Sequence, residues 1–180
     1  ILVLLVVIYR SPILAILPIV VVGIAYGVIS PLLGWFAQSG WISKDAQAVS
    51  IMTVLLFGAG TDYCLFLITR YREMLLEVEN KFEALRLSVK ESGGAIMMSA
   101  LTVFIGLGTL GLADYGAFQR FAVPFSFAIF IMGIAALTIL PAFLAIMGRI
   151  AFFPFIPRTD EMEKKRSAEK NKPYKAPKPR

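Results

Sequence analysis

The chain reads as an all-α protein, a polytopic transmembrane helix bundle, on three observations. Its 180 residues are 58% hydrophobic and its mean hydropathy is positive. Its apolar runs have the length of membrane spans, about 20 helical residues for a hydrocarbon core roughly 30 Å thick. Its basic residues fall on alternate connecting segments, as they do in bundles of fixed orientation.

Taken in order, Ile1 to Ile8 is the end of a span, because eight residues reach only about 12 Å at helical rise. No basic stretch precedes it and no small-residue cleavage site follows, which argues against a secretory leader. A chain that starts in mid-span is expected to be a piece of a larger protein. Arg10-Ser11-Pro12 then forms a tight turn into the next span, Ile13 to Ala37, where Pro18 and Pro31 suggest kinks tolerated by neighbouring helices. Gln38 to Gln47 is a short loop with Trp35 and Trp41 as interfacial anchors. Ala48 to Thr69 is the second complete span.

Tyr71 to Glu91 has a different character. Tyr71, Leu75, Val78, Phe82, Leu85 and Val89 recur at alternating steps of four and three, with Glu, Lys and Arg between them. The pattern predicts an amphipathic helix on the membrane surface, against lipid or against its own protein, ended by Ser92-Gly93-Gly94. Gly93 to Ala113 is the next span. Ala95, Ser99, Thr102, Gly106, Thr109 and Ala113 share one of its faces, where small residues allow close packing and hydroxyls could meet a buried polar partner. Gly106 to Gly111 matches the dinucleotide-binding glycine pattern only literally, since no strand precedes it and no acidic residue follows at the required distance. Phe121 to Met147 is the last span. Phe152, Phe153, Phe155 and Arg149 suit a headgroup region.

Charge sets the orientation. If Arg10 faces inward, the outer loops hold only Lys44 and Arg120, and the other sixteen Lys and Arg face the cytoplasm. Segments 70–92 and 149–180 are then cytoplasmic and the chain is a multi-pass protein of the cell membrane. Residues 1–150 form the bundle, and 151–180 a basic, disordered linker or tail with almost no apolar residues. The net charge of +6 sits largely in that tail and points to anionic lipid headgroups, not nucleic acid, because no aromatic-basic platform accompanies it. There is no histidine, and Cys64 is the only cysteine, so a disulfide framework and a Cys/His zinc site are excluded. No cofactor and no metal are expected.

The residue that carries function is Asp62, within Gly58-Ala59-Gly60-Thr61-Asp62-Tyr63. A carboxylate in mid-membrane costs roughly 3 kcal/mol on insertion scales and is usually retained for ion or proton movement. Low dielectric disfavours its charged form, so a protonatable carrier is the natural role. Gly58 and Gly60 would let a second helix approach, and Tyr63 supplies an adjacent hydroxyl. If the Asp62 helix packs on the following span, Ser99 and Thr102 are candidate partners of the carboxyl. The plain alternative is Asp62 as a hydrogen-bonded link between helices. An intramembrane aspartyl protease is a remote alternative, since it needs a carboxylate dyad and Asp62 stands alone within the spans. A sterol-sensing or scaffold module without transport is the other alternative.

Gly58-Ala59-Gly60-Thr61-Asp62-Tyr63-Cys64-Leu65-Phe66 followed by Arg70-Tyr71-Arg72-Glu73 resembles the signature of the MMPL branch of the RND superfamily, and most nearly its YdfJ-type transporters. Tyr9-Arg10-Ser11-Pro12, Phe121 to Phe125, Leu140-Pro141-Ala142 and the segment from Arg149 to Arg158 extend the resemblance over nearly the whole chain. The resemblance implies helices two to six of one half of a two-half transporter, the N-terminal half being favoured by the basic linker. It implies proton-driven export of lipids or other amphiphiles, with Asp62 and Tyr63 relaying protons together with a like pair in the other half. The second half and the extracytoplasmic domains would be its partners, and the protein would not be an enzyme.

Overall fold

In the computed structural model, which describes residues 5, 6, 9, 11–40, 46–153 and 157, the chain is an all-helical bundle. Arg10, Trp41, Lys44, Asp45 and the tail from residue 158 lie outside the described residues, and so do the expectations attached to them. Four helices among the described residues are long and apolar enough to cross a membrane: α1 Pro12–Gln38, α2 Ala46–Glu77, α3 Lys81–Gly108 and α4 Gly116–Met147. The last two are extended by 3-10 turns, Thr109–Leu112 after α3 and Gly148–Phe152 after α4.

Each helix starts and stops for local reasons. Ser11 caps α1, its Oγ accepting from the Leu14 N–H at 3.4 Å, and Pro12 occupies the first turn, where a missing N–H costs nothing. The same Ser11 hydroxyl donates to the Ala151 carbonyl at 2.9 Å, tying the start of α1 to the segment beyond α4. Helix α1 runs on through Pro18 and Pro31 and ends at Ser39 and Gly40, whose φ of +77° suits glycine. Helix α4 ends at Gly148, with φ +55°, the positive-φ residue that favours a stop.

The expected surface helix over 71–91 is not one element. Helix α2 continues to Glu77, the chain breaks over Val78 to Asn80, and α3 starts at Lys81 and runs unbroken through Ser92-Gly93-Gly94. Two physical causes outweigh the surface pattern. Asn80 is a strong N-cap, its Oδ1 accepting from the Phe82 N–H at 3.0 Å, so the chain breaks there. At the glycine pair, a break inside the apolar region would leave backbone groups unpaired, and the helix persists. Gly93 also seats α3 on α4, since a Cβ there would meet Leu137 at 3.6 Å. The apolar stripe is thus split between two antiparallel helix ends, with Tyr71 and Leu75 of α2 and Leu85 of α3 all buried.

Helix α4 packs against each of the other three. It approaches α3 closely at Gly133, where a Cβ would fall 2.7 Å from that of Ala100. The core between the helices is built from Val21, Ala25, Ile29, Leu56, Cys64, Leu67, Ile129, Met132 and Leu140, all essentially inaccessible. Helix α3 is the least covered, with Met98, Leu101, Val103 and Ile105 on its open side.

At the end that carries the α2–α3 turn, polar contacts replace apolar ones. Lys81 Nζ donates to the Ala145 carbonyl at 3.0 Å. Arg149 donates to the carbonyls of Val78, Glu79 and Pro157. Arg70 pairs with Glu73 on its own helix and with Glu91 on α3, which clamps the two helix ends together on the exposed side.

Candidate functional site

Asp62 sits near the middle of α2, and the helix turn sorts its neighbours onto different sides. Gly60, Thr61, Cys64, Leu67 and Ile68 point into the bundle and are buried. Asp62, Phe66 and Thr69 form an exposed strip one heptad long. Among the described residues the Asp62 carboxylate has no hydrogen bond or ion pair. It therefore presents an ionisable group on the outer side of a helix that is otherwise apolar for several turns in both directions.

The glycines beside it have separate roles. A Cβ at Gly60 would lie 2.7 Å from Cγ2 of Val22 and 3.0 Å from the Met132 side chain. Gly60 is thus where α1, α2 and α4 converge. Among the described residues Gly58 has nothing within 4 Å of its own Cβ position, so none of the described helices packs against it. Thr61 is buried, and its hydroxyl donates within α2 to the carbonyls of Phe57 and Gly58, at 2.8 and 2.9 Å. That bond hides the hydroxyl from the apolar interior.

Tyr63, one residue on, is only 9% exposed and turns toward α3. With Phe66, Ala95, Ile96 and Ser99 it lines an open groove of about 210 Å³. Ser99 is therefore brought to Tyr63 and not to the carboxylate. Thr102 lies on the open side of α3 and donates to Met98 of its own helix at 2.8 Å. Among the described residues neither hydroxyl bonds Asp62.

A residue that sequence reasoning did not assign to the site, Tyr9, lies near enough to Asp62 to feel its charge. The Tyr9 hydroxyl lies within electrostatic reach of the Asp62 carboxylate and of Cys64, and the residue is only 7% exposed. It precedes the first complete span and is 53 positions away in sequence, where it stands in the turn Tyr9-Arg10-Ser11-Pro12 with no sequence link to the Asp62 helix. Chemically, the arrangement offers one carboxyl and two phenols within an apolar bundle. Among the described residues no three His, Cys, Asp or Glu side chains gather as a metal-binding group would require.

Comparison with known proteins identifies the lineage. The MMPL family profile matches residues 1–172. The chain is 71% identical to the Apo-petrobactin exporter of Bacillus anthracis over 178 residues, covering 99% of this chain and 24% of that protein. It is 36% identical to the Streptomyces coelicolor protein SCO5905, over 86% of this chain and 18% of the relative. It is 30% identical to the Sulfolipid-1 exporter MmpL8 of Mycobacterium tuberculosis, over 82% of this chain and 14% of the relative. The chain thus spans about a quarter or less of the length of these relatives, two of which are named as exporters and none as an enzyme. No solved structure matches it. The family profile and the relatives together place the chain in the MMPL family.

Proposed function

We propose that this chain is the transmembrane half-domain of a proton-motive-force-driven exporter, with Asp62 and Tyr63 in its proton relay. The observation that carries the reading is the Asp62 carboxylate, set on the outer side of an apolar helix with no hydrogen bond or ion pair among the described residues. Hydrocarbon against that surface would disfavour the charged form strongly, so the site calls for a covering protein surface or water. A second half of the full-length protein, carrying a like Asp-Tyr pair, supplies that cover. A carboxyl in such a cleft loads a proton on one side of the membrane and releases it on the other as hydration changes.

The α2–α3 turn, flanked by Arg70, Arg72, Lys81, Arg86 and Lys90, and the segment from Arg149 onward face the cytoplasm under the positive-inside rule, with the bundle in the plasma membrane. Residues 151–180 then lead toward the second half. The cargo class is hydrophobic or amphiphilic. The 71% identity to an apo-petrobactin exporter favours apo-petrobactin as the cargo, ahead of the lipid suggested by the more distant sulfolipid-1 exporter.

The test is export from cells that produce the full-length protein, with apo-petrobactin measured in the medium. Wild type exports it, and both a protonophore and Asp62→Asn stop export without lowering the amount of protein in the membrane. Wild-type export by Asp62→Asn would refute the relay.

A further inference from the structure

A proton that reaches Asp62 still has to cross to the polar edge of the bundle. Along α2 the distance from Asp62 to Arg72 is ten residues, about 15 Å at helical rise. A single hydrogen bond spans about 3 Å, so the path needs intermediate groups. Of the residues between, Tyr63, Cys64, Thr69, Arg70 and Tyr71 carry polar groups, but Leu65, Phe66, Leu67 and Ile68 form an apolar block that separates Asp62 from Thr69.

The structure places a group in that gap from another segment. The Tyr9 hydroxyl is buried and has no hydrogen-bond partner among the described residues. A buried hydroxyl without a partner is costly, and native structures generally meet it with water or ligand. Tyr9 also lines a cavity of about 30 Å³, whose wall includes Thr69, Arg72, Ile68 and Phe152. That volume is enough to hold a water, and the wall offers polar partners for it. Thr69 donates its own hydrogen to the Leu65 and Phe66 carbonyls, both at 2.9 Å, so its oxygen is left to accept from such a water. On the other side, the Tyr9 hydroxyl is within electrostatic reach of Asp62.

We propose that Tyr9, with water held between it, Thr69 and Arg72, is a step on the proton path between Asp62 and the basic face of the bundle. The inference rests on Asp62 as the proton carrier and adds the route by which one side of the membrane reaches it. The charged and titratable groups around the Tyr9 hydroxyl are Asp62 and Cys64 from α2 and Arg72 across the cavity. Cys64 is buried in the core and lies off the route. Tyr9 is a relay here: its hydroxyl accepts one proton as it passes another on, with no net change in its own charge.

The experiment uses the full-length protein in oriented membrane vesicles whose basic face meets the medium. The Asp62 carboxyl is followed by time-resolved infrared absorption after a pH step applied to one face or the other. Tyr9→Phe is expected to slow the response to a step at the basic face by about a hundredfold, the low end of what a positioned proton-transfer group contributes. The response to a step at the opposite face is expected to stay at the wild-type rate, which a merely structural defect would not allow. If Tyr9→Phe gives no folded protein, Thr69→Val decides in its place, because it removes the cavity oxygen and keeps the shape. No slowing, or equal slowing from both faces, overturns the Tyr9 path. A carboxyl response that persists in Asp62→Asn instead takes down the carrier reading itself, so the two failures are distinguishable.

Discussion

Lys81 and Arg149 cap helix ends across the same junction: Lys81, at the start of α3, donates to the Ala145 carbonyl near the end of α4, at 3.0 Å, and Arg149, just past α4, donates to Val78 and Glu79, just past α2, at 2.7 and 3.2 Å. Each cation meets carbonyls that the helix geometry leaves without intrahelical partners, at the end where the helix dipole is negative. Three helices are thereby locked at one end of the bundle, while the Asp62 region stays open.

Replacing Arg149 by Met removes a charge-assisted cap and leaves partly buried carbonyls unpaired. The expected loss is about 2 kcal/mol. Lys at this position restores only part of it, because one ammonium cannot reproduce the fork that reaches Val78, Glu79 and Pro157 at once. Thermal unfolding of the three proteins in the same detergent checks the order wild type, Arg149→Lys, Arg149→Met.

Gly148 turns the chain between these two cations. Its φ of +55° with ψ of −136° is a region kept for glycine, and a Cβ would stand 2.8 Å from Cδ of Lys81. Gly148→Ala is expected to cost about 1–3 kcal/mol, measured in the same unfolding assay.

The two glycines before Asp62 are expected to respond oppositely. Gly60→Ala drives a methyl into Val22 and Met132, an overpacking cost of about 1–3 kcal/mol. Gly58→Ala meets nothing within 4 Å in this chain and gains helix propensity, so the isolated bundle is unchanged or stabilised by up to about 1 kcal/mol. If Gly58 instead faces the second half, Gly58→Ala lowers transport by the full-length protein without unfolding this half. Unfolding midpoints and export rates measured side by side separate the two effects.

Thr102→Val is expected to leave export within about twofold of wild type, since its hydroxyl bonds its own helix and forms no hydrogen bond to Asp62. Ser99→Leu fills the groove beside Tyr63 and is expected to reduce export. Export assays on the two variants test whether the functional face of α3 runs through Ser99 alone.

Much of the bundle is legible in the sequence because bilayer thickness fixes span length. The first complete span, read as 13–37, is helix Pro12–Gln38, and the last, read as 121–147, closes at the same Met147 as α4. The stretch from Tyr71 to Glu91 reads as one helix but belongs to two, for a physical reason. A 4-3 apolar stripe looks the same whether it belongs to one surface helix or to two helix ends packed on a common core. The cap at Asn80 held the information, but Asn is common in loops and the glycine pair gave a stronger stop signal. Asp62 is legible because an ionisable residue in an apolar run stands out by itself. The nearness of Tyr9 is not, since it depends on how a preceding segment packs against α2. The convergence of Lys81 and Arg149 on each other's helix ends is hidden likewise, as it needs the antiparallel arrangement of α2, α3 and α4.

The central claim is that Asp62 carries the proton that drives export. Proton flux into proteoliposomes holding the full-length protein, under an imposed pH gradient and with apo-petrobactin on the cytoplasmic side, tests it most directly. Wild type is expected to show cargo-dependent proton flux, and Asp62→Asn to show none while keeping its helical content and unfolding midpoint. Cargo-dependent flux at the wild-type rate in folded Asp62→Asn would contradict the account.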